Sequence, residues 1–124
     1  MRINEKGTNM EITSRIKDYL FKKLEHAEKF IASDDTSALC DVELGKTTKH
    51  HKGGDIFRTE INLQVAGKNF RAVAEEEDLF ASIDIAQAEI IAELKKNKDK
   101  QVTAVKRGGA KIKSITRGQN EENN

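Results

Sequence analysis

The side chains with chemistry to offer are few in kind and mostly basic. The chain has one cysteine, Cys40, and three histidines, His26, His50 and His51. Adjacent histidines project apart, no second pair stands at ligand spacing, and Cys40 belongs to an inward-facing row. Neither a metal site nor a Cys–His nucleophile is expected from them. The run Ala74-Glu75-Glu76-Glu77-Asp78-Leu79-Phe80 gathers four carboxylates. It sits at a strand-to-helix junction, where acids cap a helix start and suit its dipole. There is no P-loop, no G-x-G-x-x-G, no nucleophile elbow and no metalloprotease pattern. Catalysis, a cofactor and a small-molecule substrate are therefore not expected. What remains is a density of Lys and Arg, whose chemistry is neutralisation of phosphates with release of counterions.

The charge is sorted along the chain. The formal net charge is only +1, yet residues 72–94 hold seven acids and no Lys or Arg, and residues 95–117 hold nine bases and one acid. Acids near a helix start and bases near its end are ordinary dipole complementation, worth about 0.3–1 kcal/mol per charge and fading within a turn. That accounts for about two of Lys95, Lys96, Lys98 and Lys100 by the reach of the effect. It leaves a basic run through Lys106, Arg107, Lys111, Lys113 and Arg117.

A second sorting runs around a helix. Projected at about 100° per residue with Leu20 at the centre of the apolar stripe, Arg15, Lys22, Lys23, His26 and Lys29 fall on one flank and the outer face. Asp18, Glu25 and Glu28 fall towards the other flank, with Lys17 the lone base there. Two readings are open. One is a polyanion-binding face; the other is a solvated helix laced by pairs such as Asp18–Lys22 and Glu25–Lys29. The loop "KTTKHHKGG" adds Lys46, Lys49, His50, His51 and Lys52 to the basic set, as a hairpin tip able to reach into a nucleic-acid groove.

The elements that must position these residues follow from periodicity. Residues 2–6 read as a short strand, then Gly7 and Asn9 as a turn. Ile12, Ile16, Leu20, Leu24, Ala27 and Ile31 mark an amphipathic helix, with Thr13 or Ser14 as its N-cap. Ala38, Cys40, Val42 and Leu44 alternate as a half-buried strand, followed by a polar loop, "GKTTKHHKGGD". Phe57, Thr59, Ile61, Leu63 and Val65 mark a second strand, and Ala66-Gly67-Lys68-Asn69 a hairpin turn into residues 70–75. Leu79, Ile83, Ala86, Ile90 and Leu94 mark a second helix, capped by Asp78. Two helices on one face of a four-stranded sheet would bury every apolar stripe. At 124 residues the fold is a single α+β domain. No apolar run spans a bilayer and no signal-peptide core is visible, so a cytoplasmic protein is expected. The single cysteine agrees.

Two stretches, "GTNMEITSRIKDYLFKKLEHAEKF" and "AVAEEEDLFASID", together with the hairpin "DIFRTEINLQVAGKNFRAVAE", resemble the ribosome hibernation-promoting factor family. This family includes ribosome-associated inhibitor A and was also called sigma-54 modulation protein. The resemblance covers about residues 1–100 in order and spacing. It implies a β-α-β-β-β-α two-layer domain, similar to a double-stranded-RNA-binding domain. It also implies a non-enzymatic translation inhibitor that binds rRNA of the small ribosomal subunit in the mRNA and tRNA channel under stress. Basic positions of the family's first helix fall on Lys17, Lys23, His26 and Lys29. Those at the end of its second helix fall on Lys96 and Lys100, beside Lys95 and Lys98. With Lys22, Lys49, His50 and Lys52 these form the expected RNA-binding set. Two departures stand out: Glu89 and Ala92 where family members often carry bases, and Glu5 where the first strand usually has an apolar residue. The chain resembles the family's short form, with residues 101–124 as a basic tail that either orders on rRNA or solubilises. A general structured-RNA module and an adaptor using the acidic 75–93 surface are the competing readings.

Overall fold

The described residues of the computed structural model are 1–31, 37–49 and 54–107, with side chains described for all of these but 49 and 99–107. The elements are β1 (Arg2–Thr8), α1 (Ser14–Glu28), β2 (Leu39–Lys49), β3 (Gly54–Val65), β4 (Lys68–Glu76) and α2 (Leu79–Arg107). The order is β-α-β-β-β-α, as expected. The chain divides into two units, Met1–Leu94 and Lys95–Asn124.

In the first unit the strands form one sheet in the order β1-β2-β3-β4. β1 runs parallel to β2, with α1 as the crossover, and β2, β3 and β4 are antiparallel neighbours. Period two along the strands sends Cys40, Val42, Leu44, Ile61, Leu63, Ala72 and Ala74 into the core. There they meet Leu20, Leu24 and Ala27 of α1 and Leu79, Ile83, Ala86, Ile90 and Leu94 of α2. The opposite sheet face is polar. On it Glu60 accepts from Asn62 and Arg71 and pairs with Arg58, 2.9 Å away. The Asn62 and Arg71 bonds hold the Glu60 carboxyl down to a pKa of about 2.

Turn and cap chemistry fix the joints. The Thr13 hydroxyl accepts from the Ile16 amide at 3.3 Å and starts α1. Before it the chain doubles back so closely that a Cβ on Gly7 would stand 2.6 Å from the Met10 carbonyl oxygen. Val65 and Lys68 are paired across a two-residue loop whose residues, Ala66 (φ 51°) and Gly67 (φ 78°), are both left-handed. That is the geometry of a hairpin whose turn matches the sheet twist. Asp78 Oδ2 accepts from the Ala81 amide at 2.9 Å and caps α2. A buried hydroxyl pair then ties α2 to β3. Ser82 Oγ donates to the Leu79 carbonyl, so Thr59 Oγ1, 2.7 Å from Ser82 Oγ, is the donor between the two hydroxyls.

β1 runs on through Gly7 to Thr8 and β4 begins at Lys68 rather than residue 70, and two further boundaries differ more from expectation. The supposed loop after Leu44 is mostly strand: β2 continues through Lys49 and β3 resumes at Gly54. Thr47 and Thr48 are β-branched and suit a pleated strand, and Thr48 Oγ1 donates to Asp55 across the pair at 3.0 Å. β1 leaves β2 at Gly45 and β4 begins its pairing at Phe57, so the pairs beyond form a two-stranded arm. At about 3.3 Å per residue the three residues Thr47–Lys49 project about 10 Å. Helix α2 also continues past Lys100 to Arg107, because no Gly or Pro interrupts it before Gly108. Lys95, Lys96 and Lys98 therefore stand nine to twelve residues before its end. The dipole effect does not reach that far and does not account for them.

Candidate nucleic-acid interface

The outer face of α1 is built by exclusion. Burying Leu20, Leu24 and Ala27 turns Arg15, Lys22, His26 and Lys29 to solvent, and all four are exposed. At about 100° per residue they fall within an arc of about 60°. At 1.5 Å per residue the row from Arg15 to Lys29 is about 21 Å long. Among the described residues neither Lys22 nor Lys29 makes an ion pair. The Asp18–Lys22 and Glu25–Lys29 pairs of the solvated-helix reading do not form there. Arg15 is held in place by stacking, its guanidinium 5.4 Å from the Phe80 ring centroid. His26 stands edge-on to Phe30. Arg15 belongs to the basic flank by projection but not to the expected RNA-binding set. Its signal in the sequence is the spacing of seven to Lys22.

Lys17 and Lys23, expected beside these, are already engaged. Lys17 Nζ lies 3.2 Å from Glu5 on β1. This explains the carboxylate in a strand position where an apolar residue was expected: Glu5 faces the helix layer at its edge and is neutralised there. Lys23 Nζ lies 3.1 Å from Asp84 on α2. The Tyr19 hydroxyl donates to the same Asp84 oxygen at 2.6 Å. The bond to Asp84 raises the Lys23 pKa, and the Tyr19 hydroxyl's own bond to Asp84 raises that of Tyr19. Gln87 Nε2 donates to the Lys23 carbonyl at 3.1 Å, and Tyr19 meets Phe80 edge-on at 4.9 Å. The α1–α2 seam is thus made of polar and aromatic contacts beside the ridge.

The remaining expected residues divide. Lys49 is the last residue of β2, on the arm, and its side chain lies outside the described residues; His50 and Lys52 lie outside them altogether. At the base of the arm Lys46 pairs with Asp55 at 3.5 Å. Lys95, Lys96 and Lys98 are exposed on α2 in the second unit, and Lys100 lies on the same helix with its side chain outside the described residues. From Leu79 to Leu94 α2 offers no base to solvent; its acids there are the exposed Glu89 and Glu93, beside Ile85, Ala88 and Ala92, and the half-exposed Asp84, which is paired with Lys23. The expected second-helix residues all lie past Leu94; the stretch before it has no base with which to bind phosphate.

Other chemistry is absent among the described residues. No group of three or more His, Cys, Asp or Glu is placed to hold a metal. Cys40 is buried, and desolvation pushes its thiol up to about 12, far from a reactive thiolate.

The family model for the sigma 54 modulation protein / S30EA ribosomal protein matches residues 3–102. The chain belongs to this family. A ribosome hibernation promoting factor of Pseudomonas putida is 29% identical over 112 residues, covering 90% of this chain and all of that protein. A ribosome hibernation promotion factor of Picosynechococcus is 32% identical over 100 residues, 81% of this chain and half of that longer protein. Among solved structures the N-terminal domain of Protein Y from Thermus thermophilus superposes with a TM-score of 0.66 at 31% identity, over 77% of this chain and 98% of that one. The S30EA match spans α1, β2, β3, β4, all of β1 but its first residue, and α2 as far as residue 102, so the α1 ridge lies on the family's own scaffold.

Proposed function

We propose that the protein is a ribosome hibernation factor: a ribosome-associated translation inhibitor that binds the small subunit in the mRNA and tRNA channel and holds it inactive. The observation that carries this reading is the row Arg15, Lys22, His26 and Lys29, exposed along about 21 Å of a helix in a chain of the S30EA family. A row of exposed, mostly unpaired bases on a rigid helix neutralises phosphates with little sequence preference, as docking on folded rRNA requires. The mechanism is occlusion and needs no bond making, which agrees with the relatives named as hibernation factors and with a buried, unreactive cysteine. The projecting β2–β3 arm supplies a second contact, through Lys49 with His50 and Lys52 of the connecting segment, and Lys95–Lys100 a third. Among the described residues no helix is long and apolar enough to cross a membrane; the place of action on this reading is the cytoplasmic ribosome. Residues 1–100 form the binding module, with 101–124 an extension whose first seven residues continue α2.

The test is sedimentation of the protein with purified small ribosomal subunits at low and moderate salt, with and without initiator tRNA. Co-sedimentation that weakens with salt and is competed away by tRNA is expected. Failure to co-sediment at either salt refutes the reading.

A further inference from the structure

The basic ridge is closed on its α2 side by a carboxylate. Asp84 Oδ1 accepts from the Tyr19 hydroxyl at 2.6 Å and lies 3.1 Å from Lys23 Nζ. The Asp84 side chain is 45% exposed and that of Lys23 32%, so the pair sits in water at the rim of the ridge. Lys23 Nζ also lies over the Tyr19 ring, 5.5 Å from its centroid. Joining the helices does not require the charge. Gln87 already ties α2 to the Lys23 carbonyl, and Tyr19 already packs edge-on against Phe80. What the charge does is occupy a lysine that would otherwise extend the row of Arg15, Lys22 and His26.

We propose that Asp84 is an affinity-limiting residue of the ribosome-binding surface, holding Lys23 in an exposed ion pair that RNA phosphate must displace before it can use that lysine. The proposal rests on the ribosome-binding reading and deepens it. A phosphate approaching Lys23 meets a pair with no net charge. It gains the ammonium only by losing the Lys23–Asp84 contact, and the carboxylate then stands as a like charge beside it. Lys23 is therefore a weak contributor to counterion release in the natural protein, whereas Lys22, one residue away and exposed, is a full one. Asp84 sets an upper limit on affinity and keeps the salt dependence shallower by one phosphate contact. Exposed pairs of this kind are held weakly, so freeing Lys23 perturbs the fold little.

The test is the affinity of Asp84→Asn for purified small ribosomal subunits, titrated between about 50 and 200 mM salt. The amide is isosteric and its oxygen keeps the Tyr19 bond. Binding about three- to tenfold tighter at about 100 mM is expected, with log K against log salt steeper by about 0.7–0.9, one added phosphate contact. Adding Lys23→Met to Asp84→Asn should abolish the gain. Tyr19→Phe, which breaks the hydroxyl bond and leaves the charge, should leave affinity unchanged. Unchanged or weaker binding by a folded Asp84→Asn protein overturns the proposal, as does a gain that survives Lys23→Met. If the unsubstituted protein does not bind subunits at all, the ribosome-binding reading fails first and this proposal falls with it.

Discussion

The pairing pattern on α1 makes a quantitative prediction for binding. Lys22 and Lys17 are both lysines on the same helix, but Lys22 is exposed without an ion pair among the described residues, whereas Lys17 is 3.2 Å from Glu5. Each lysine that neutralises a phosphate contributes about 0.7–0.9 to the slope of log K against log salt. Over a fourfold rise from about 50 to 200 mM, one such contact is worth about a threefold loss of affinity. Replacing Lys22 and Lys29 with Gln should flatten the slope by about 1.4–1.8 and weaken binding at low salt. Replacing Lys17 with Gln should change the slope by much less, since its charge is already answered by Glu5. The assay is equilibrium binding of labelled protein to purified small subunits across that salt range, with thermal melting to show that each variant is folded. Equal flattening by Lys17→Gln and Lys22→Gln would refute the reasoning, because the ion pairs would then have no bearing on which bases meet RNA.

Three further predictions concern the scaffold. Ser82→Ala strands the buried Thr59 hydroxyl and should lower stability by about 1–3 kcal/mol, while Thr59→Val leaves Ser82 still donating to Leu79 and should cost about 1 kcal/mol; urea melts giving the reverse order would contradict the assigned donor. Ala66→Gly should raise stability by about 1 kcal/mol, because Ala66 is held at φ 51°, where a Cβ is strained and glycine is not; a lower urea midpoint would count against this. For pH, the folded Glu60 carboxyl titrates near 2, below its unfolded value, so its stabilising contribution is full above about pH 5 and is lost as pH falls towards 2. Glu60→Gln should flatten that part of the acid-unfolding profile, and an unchanged profile would show that Glu60 is not held by Asn62 and the two arginines.

Most of the fold was legible because its apolar positions repeat cleanly. Leu20, Leu24 and Ala27, then Cys40, Val42 and Leu44, then Ile83, Ala86 and Ile90 are core residues both by period and by burial. Caps at Thr13 and Asp78 and the Ala66-Gly67 turn were readable for the same reason: each is local chemistry. The arm and its base were not, because Gly45, Lys46, Thr47 and Thr48 carry no apolar alternation, and only their pairing with residues 55–58 makes them a strand. Nor was the reach of α2, since polar Lys and Asn residues after Leu94 carry no period to follow. The candidate site was half legible. Projection placed Arg15, Lys22, His26 and Lys29 on one surface, since a helix wheel needs only one helix. The engagement of Lys17 with β1 and of Lys23 with α2 is long-range, and nothing near Lys17 or Lys23 in sequence announces Glu5 or Asp84.

The charge reversal between Glu93 and Lys95 gains a different meaning once α2 runs unbroken to Arg107. A short helix with acids first and bases last would be complementing its own dipole. A helix of 29 residues whose sign changes at its middle cannot be, since the effect is spent within a turn of either end. The reversal divides the helix by what it can touch. From Leu79 to Leu94 one side fills the core, and the exposed Glu89 and Glu93 repel a phosphate. Past Leu94 the exposed Lys95, Lys96 and Lys98 attract one. If the first stretch faced rRNA directly, each exposed acid would subtract from the affinity that α1 supplies, as Asp84 is argued to do. In the bound state, therefore, rRNA should be met by the α1 ridge and not by the outer face of Leu79–Leu94. Charge reversal by Glu89→Lys then separates the two arrangements. It should leave affinity for small subunits nearly unchanged if that face points into solvent, and should raise it severalfold, with a steeper salt slope, if that face lies against RNA.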